Sequence, residues 1–97
     1  MEWPASGESD LDALFAAHFG LSEPSAMAFL ETVEHALALL VVFPQLGPVY
    51  ALPFRRYLLR GGKIGLFYTF ESGRIFIHAL VDLRQDPALL RRRLGIG

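Results

Sequence analysis

Three apolar runs punctuated by glycine occupy the middle of this chain and narrow what it can fold into. Residues 53–60 read PFRRYLLR, residues 61–70 read GGKIGLFYTF, and residues 71–82 read ESGRIFIHALVD. Each run is rich in Ile, Leu, Phe, Tyr and Val, and the connectors Gly61-Gly62 and Glu71-Ser72-Gly73 have hairpin length. The pattern predicts a three-stranded antiparallel meander. Strand periodicity puts Ile64, Leu66, Tyr68 and Phe70 on one face, and Lys63, Gly65, Phe67 and Thr69 on the other. In the third run Ile75, Ile77, Ala79 and Val81 alternate with Phe76, His78, Leu80 and Asp82. Both faces are largely apolar, so both need cover. Gly65 would admit the close approach of a partner's backbone or side chain.

The preceding residues have helical spacing. Ser9 suits an N-cap, with Asp10 and Asp12 in the first turn, where negative charge favours the helix dipole. Leu11, Leu14, Phe15 and His18 follow at i, i+3, i+4 and i+7, which predicts a helix over 10–19 ended by Gly20. Residues 4–8 read as a loop, and Glu2-Trp3 as the end of an edge strand. Ser22-Glu23-Pro24 restarts a helix whose stripe is Ala26, Phe29, Leu30, Val33, Leu37 and Leu40. Phe43-Pro44 ends it, and the pair forms an αα-hairpin. Residues 45–53 read as a Pro/Gly-rich loop. Asp86 and Pro87 mark the N-cap and first position of a terminal helix. The fold class expected is therefore α+β. An N-terminal αα-hairpin packs on a twisted, mainly antiparallel sheet of three to four strands, in a single domain spanning 1–97.

Charge is divided along the chain. Residues 1–54 hold seven acids and no Lys or Arg, whereas residues 55–97 hold all nine basic residues and three acids, for a net charge of −1. The basic half could meet phosphates or an acidic partner, or the two halves could neutralise each other in the fold. Counting Gly but not Tyr, 57 of 97 residues are apolar, above the roughly 45–50% of ordinary globular chains. A domain this small cannot hide all of that surface. It implies a partner, either a second copy (a homodimer) or a different chain. With no cysteine, neither a disulfide nor a thiolate metal site can form. His18, His35 and His78 lack metal-ligand spacing, so no metal and no cofactor are expected. No basic segment leading into an apolar stretch opens the chain, and its longest apolar run, 36–43, is too short to span a bilayer. The expectation is a cytoplasmic protein with no membrane contact.

The order of these elements, with several local words, resembles the RelE/ParE superfamily of type II toxin–antitoxin toxins, which includes plasmid stabilisation proteins. The resemblance covers most of the chain. It rests on the N-terminal strand, the hairpin ending in Phe43-Pro44-Gln45-Leu46-Gly47, and the Arg55-Arg56 strand. The Phe67-Tyr68 pair and the closing Leu83-Arg84-Gln85-Asp86-Pro87 complete it. Asp82 stands where the family usually has His, and Gln85 where it often has a second Arg. The resemblance implies a cognate antitoxin protein that wraps the toxin, and growth inhibition by one of two routes. ParE-like members act on DNA gyrase. RelE-like members cut mRNA in the ribosome, using basic residues and often a C-terminal Tyr. Residues 89–97 contain no Tyr, His or Lys, which favours a ParE-like protein that acts by binding. The alternatives are an mRNA endoribonuclease and a non-toxic interaction module of the same fold.

Candidate residues follow from this reading. Arg84, at the end of the last strand, could hold a phosphate, or could pair with Asp82 or Asp86 and fix the turn. Arg55 and Arg56 point to opposite faces, so at most one joins Arg84. If the chain cuts RNA, Arg84, Arg56 and Lys63 are the catalytic candidates. The binding candidates are Arg55, Arg56, Arg84, Asp86, Arg91 and Arg92. With Arg93, Arg91 and Arg92 could instead serve the terminal helix by complementing its dipole. His78 and Tyr68, potential proton carriers, read as sheet and core residues.

Overall fold

A computed structural model describes residues 1–96. Helices α1 (Ala5–Leu21) and α2 (Glu23–Val42) precede four strands, β1 (Val49–Ala51), β2 (Phe54–Leu58), β3 (Ile64–Glu71) and β4 (Arg74–Asp82), and a short helix, α3 (Pro87–Arg93), follows. The strands form one antiparallel sheet in the order β1-β2-β3-β4. The architecture is α+β, with the helical hairpin on one face of the sheet, as expected.

α1 begins four residues before the predicted Ser9 cap, with Pro4 at its N-cap. Residues 5–8 are therefore helix rather than loop. Gly7 makes this possible, because the first turns of α1 lie directly on β4. A Cβ at Gly7 would come within 2.0 Å of the Ile77 carbonyl oxygen. Only a residue without a side chain lets the two backbones approach so closely. Asp10, expected in the first turn, sits deeper and turns toward the sheet. Its carboxylate accepts the Leu80 N–H at 3.0 Å and pairs with Arg93 of α3 at 2.8 Å.

Gly20 does not end α1, which continues to Leu21. Ser22, in extended conformation, closes α1 and opens α2. Its N–H donates to the His18 carbonyl, and its hydroxyl accepts the Ser25 N–H. Of the predicted α2 stripe, Ala26, Phe29, Val33 and Leu40 are buried and Leu30 and Leu37 half-buried, and Ala36, outside that stripe, is buried with them. Phe29, Val33, Ala36 and Leu40 meet Leu66, Tyr68, Ile75, Ile77 and Leu80 from the sheet, with Leu11, Leu14 and Phe15 of α1 at the border. α2 is the one helix among the described residues long and apolar enough to cross a membrane. Its inner face is packed into this core.

Two sheet features depart from the sequence reading. The loop expected over 45–53 contains β1, whose Val49 and Ala51 pair with Arg55 and Phe54. Three residues flanked by prolines carry too short a pattern to register as a strand. In addition, the β3–β4 register shifts: Phe67 pairs with Ala79, but Tyr68 pairs with Ile77. His78 is the extra residue of this β-bulge, and it reverses the alternation along β4. Ile75 and Ile77 face the helices as far as the bulge, and Leu80 takes over beyond it. Ala79 and Val81 are on the opposite face with Phe67 and Leu90. The single alternation predicted for residues 75–82 therefore does not hold.

The N-terminal strand reduces to one parallel bridge between Glu2 and Phe76. Glu2 donates its N–H to the Ile75 carbonyl and accepts the Ile77 N–H, at 2.7 and 2.9 Å. On the second face, α3 covers one end through Leu90, with Leu83, Leu94 and Tyr50 around Phe67, Ala79 and Val81. Gly65 is filled from within, by the side chains of Leu83 and Phe67.

Candidate functional site

Alternation along β2 separates its two arginines. Arg55 pairs with Tyr68, Arg56 with Phe67, and Tyr57 with Leu66. Tyr68 and Leu66 belong to the helix-covered core and Phe67 to the second cluster. Arg55 therefore lies toward the hairpin side and Arg56 toward the side of α3.

Arg55 holds a loop. Its Nη1 donates to the carbonyls of Gly47 at 2.9 Å and Gln45 at 3.3 Å. Tyr68 holds the same loop from inside the core. Its hydroxyl donates to the Pro44 carbonyl at 2.8 Å and accepts the Gly47 N–H at 3.0 Å. Burial raises the Tyr68 pKa above its ordinary value, opposed by the Gly47 hydrogen bond and the Arg55 charge. Tyr68 is thus a neutral structural post at neutral pH, as the apolar setting of its strand suggested.

Arg56 lies over the Tyr50 ring, with its guanidinium carbon 5.6 Å from the ring centre. Tyr50 in turn meets Phe67 edge-on at 5.1 Å. Arg56 and Tyr50 form one wall of a cavity of about 110 Å³, whose other wall is the turn bearing Asp82, Gln85 and Asp86. Leu90 of α3 closes it. This is where one of the two β2 arginines meets the closing turn. Tyr50 was not singled out in the sequence, because the strand that carries it was not visible there.

Arg84 lies at the same turn but points its charge at Asp82. Its Nε donates to both Asp82 oxygens, at 2.9 and 3.2 Å, and its Nη2 and backbone N–H also bond that carboxylate. The pairing holds Asp82 well below the usual carboxylate range, with Lys63 adding a smaller push in the same direction. Asp82 in turn raises the Arg84 pKa. The pair is solvent-facing and the Arg84 side chain is mostly exposed, so its contribution to stability is small. Lys63 is exposed, and its carbonyl accepts the Leu83 N–H.

Asp86 caps α3, accepting the Ala88 N–H at 2.9 Å. Arg91 and Arg92 occupy the last turn of that helix, where cations complement the dipole. His78, the bulge residue, has its Nε2 2.9 Å from the buried Thr69 hydroxyl. Phe54 meets its ring edge-on at 5.2 Å. Burial lowers the His78 pKa, opposed by the Glu71 charge, so the ring is neutral at pH 7. Its hydrogen bond to Thr69 leaves it a packed sheet residue.

The arrangement brings Arg56, Asp82, Gln85 and Asp86 to one cavity, with Arg84 and Lys63 at its turn. Arg55 serves the opposite side. No group of three or more His, Asp or Glu suited to a metal occurs among the described residues. Arg56, beside the Tyr50 ring and the Asp82 and Asp86 carboxylates, can bind and orient a polar or anionic group. No protein-family model matches this chain, and no curated protein does.

Proposed function

We propose that this chain is the toxin component of a type II toxin–antitoxin pair of ParE-like type, which acts by binding a cellular target such as DNA gyrase and is neutralised by a cognate antitoxin. The order of elements and the words Phe43-Pro44-Gln45-Leu46-Gly47 and Leu83-Arg84-Gln85-Asp86-Pro87 support the family. The observation that carries the binding mode is the engagement of Arg84. Its guanidinium is held by Asp82 through three side-chain hydrogen bonds. Tyr68 and His78, the best proton carriers of the sheet, are committed to Pro44 and Gly47 and to Thr69. Metal-free RNA cleavage needs a base for the 2′-hydroxyl and an acid for the leaving oxygen. Of the carboxylates at this turn, Asp82 is engaged by Arg84 and Asp86 by the α3 cap, which favours binding over cutting.

The mRNA endoribonuclease reading keeps one specific support. Arg56 lines the same cavity as Asp82, and the Lys63 charge acts on Asp82. An Arg84→Ala variant that folds normally and remains fully toxic would remove that reading, whereas loss of toxicity together with loss of RNA cleavage would favour it. The toxin reading is tested by induced expression with and without the neighbouring small open reading frame. Growth arrest relieved by co-expression is expected. Undisturbed growth at good expression would leave only an interaction module of this fold.

A further inference from the structure

Arg56 and Tyr50 form a ledge between two cavities. On one side is the small cavity of the closing turn. On the other is a groove of about 440 Å³, walled by Leu46, Pro48, Val49 and Leu58. Leu46, Val49 and Leu58 are each a little under half exposed there. Arg56 is the one charged residue in the lining of this groove. Its guanidinium sits over the Tyr50 ring and joins none of the ion pairs of the described residues, Arg74–Glu2, Arg84–Asp82 and Arg93–Asp10. Contact with a ring face leaves the in-plane N–H groups of a guanidinium free to donate. The two acids of the smaller cavity do not line the groove. Asp82 is held by Arg84, and Asp86 caps α3.

The backbone adds a second donor. Leu59 donates its N–H inward, to the Ile64 carbonyl at 2.9 Å, and Arg56 donates outward, to the Pro48 carbonyl at 3.0 Å. Strand alternation therefore turns the Leu58 N–H outward as well. β1 reaches only Phe54 and Arg55, so no strand of the described residues meets that N–H.

One unpaired guanidinium and one unpaired N–H, set among aliphatic walls, suit an anion with an apolar body. The planar fork of Arg matches a carboxylate in geometry as well as charge. Nucleic acid draws its affinity from a row of cations, and this groove has one. The volume falls in the range of small-molecule sites, about 300–1,000 Å³. We infer that the groove binds a small organic monocarboxylate with an apolar or aromatic body. The carboxylate lies on Arg56 and the Leu58 N–H, and the body lies against Leu46, Val49 and Leu58. The site is separate from the Arg84 turn, so the inference stands whether or not the chain arrests growth.

The test titrates the purified full chain with 3-phenylpropanoate, followed by calorimetry and by nitrogen-edited NMR. Saturable binding is expected, with shifts at the Leu58 amide and the Arg56 Nε–H and none at the Ala88 amide of the α3 cap. The uncharged 3-phenylpropanamide binds about tenfold more weakly or worse, as does acetate, which lacks the apolar body. Arg56→Gln lowers the affinity for phenylpropanoate by about tenfold or more, as loss of a charge-assisted pair should. Val49→Asp, at a half-exposed position, abolishes binding with its thermal melt unchanged. No saturable binding at millimolar phenylpropanoate, or equal binding of the amide, would overturn the inference. So would binding indifferent to both variants, or displacement of phenylpropanoate by an equal concentration of inorganic phosphate. An acetylated tripeptide with a free C-terminal Phe that binds about tenfold more tightly would also overturn it, by moving the site to a protein C-terminus.

Discussion

The outer edge of β4 and the outer edge of β2 treat the same chemical problem in opposite ways. At β4, Glu2 pairs with the Ile75 carbonyl and the Ile77 N–H, Ser6 donates its hydroxyl to the His78 carbonyl, and Asp10 accepts the Leu80 N–H. Backbone groups that could recruit a foreign strand are met one after another by the N-terminal segment and α1. At β2, the three residues of β1 reach only Phe54 and Arg55, and the Arg56 N–H finds the Pro48 carbonyl. Beyond that point no strand lies outside Tyr57 and Leu58 among the described residues. The closed edge depends on a few specific residues. The open edge depends on none and faces the same side as the exposed apolar surface of residues 41–49. The fold thus places its structural commitments at one end of the sheet and its free surface at the other.

Substitutions at the closed edge should therefore cost most. Gly7→Val would drive a side chain into the Ile77 carbonyl and force α1 off β4, a loss of about 3 kcal/mol or more in urea unfolding. A Gly7→Val protein of unaltered stability would mean that α1 does not seat on β4 as described. Asp10→Ala removes the acceptor of the Leu80 N–H together with the Arg93 pair, and about 2 kcal/mol should be lost. Hydrogen exchange at Leu80 should quicken in the same variant. Protection of that amide at the parent level would break the argument that Asp10 seals the edge.

Tyr68→Phe tests the loop that leads toward the open side. It leaves the buried Gly47 N–H without its acceptor, and a loss of about 1–2 kcal/mol is expected. Because the folded-state pKa of Tyr68 is raised, folding favours its protonated form. That contribution is present below pH 10 and lost as pH rises above it. The bulge residue gives a gentler effect of opposite sense. The His78 pKa is lowered by burial, so the unfolded chain binds the proton more readily. Stability should decline as pH falls below about 6.5. A proton NMR titration of His78 with a midpoint above 6.5 would contradict its placement. Leu58→Lys, on the open edge, should change stability by less than about 0.5 kcal/mol. A large loss there would erase the distinction between the two edges.

The contrast also explains what could be read from the sequence. The stripe of α2 and the alternation of β3 were legible because regular periods over many residues leave a strong pattern. The bulge at His78 was not, since one extra residue changes the phase without changing the composition. The early start of α1 was hidden as well. Gly7 looks like loop material until β4 is beside it, and Ser9 is a good cap that the structure does not use. At the candidate site, the separation of Arg55 from Arg56 followed from strand geometry alone. Their assignment to faces required the pairing with β3. The Asp82–Arg84 pair was one of the two outcomes open at that turn. Tyr50, which orients Arg56, lay in a segment too short to declare itself.

The central claim is that the Arg84 turn binds without cutting. Its most direct test is transcript-end mapping in cells expressing the chain, alongside plasmid supercoiling in the same cells. The account predicts growth arrest with intact ribosome-bound transcripts and relaxed or linearised plasmid. Transcripts cut within ribosome-bound reading frames, with supercoiling undisturbed, would contradict it and move the chemistry to Arg84, Arg56 and Lys63.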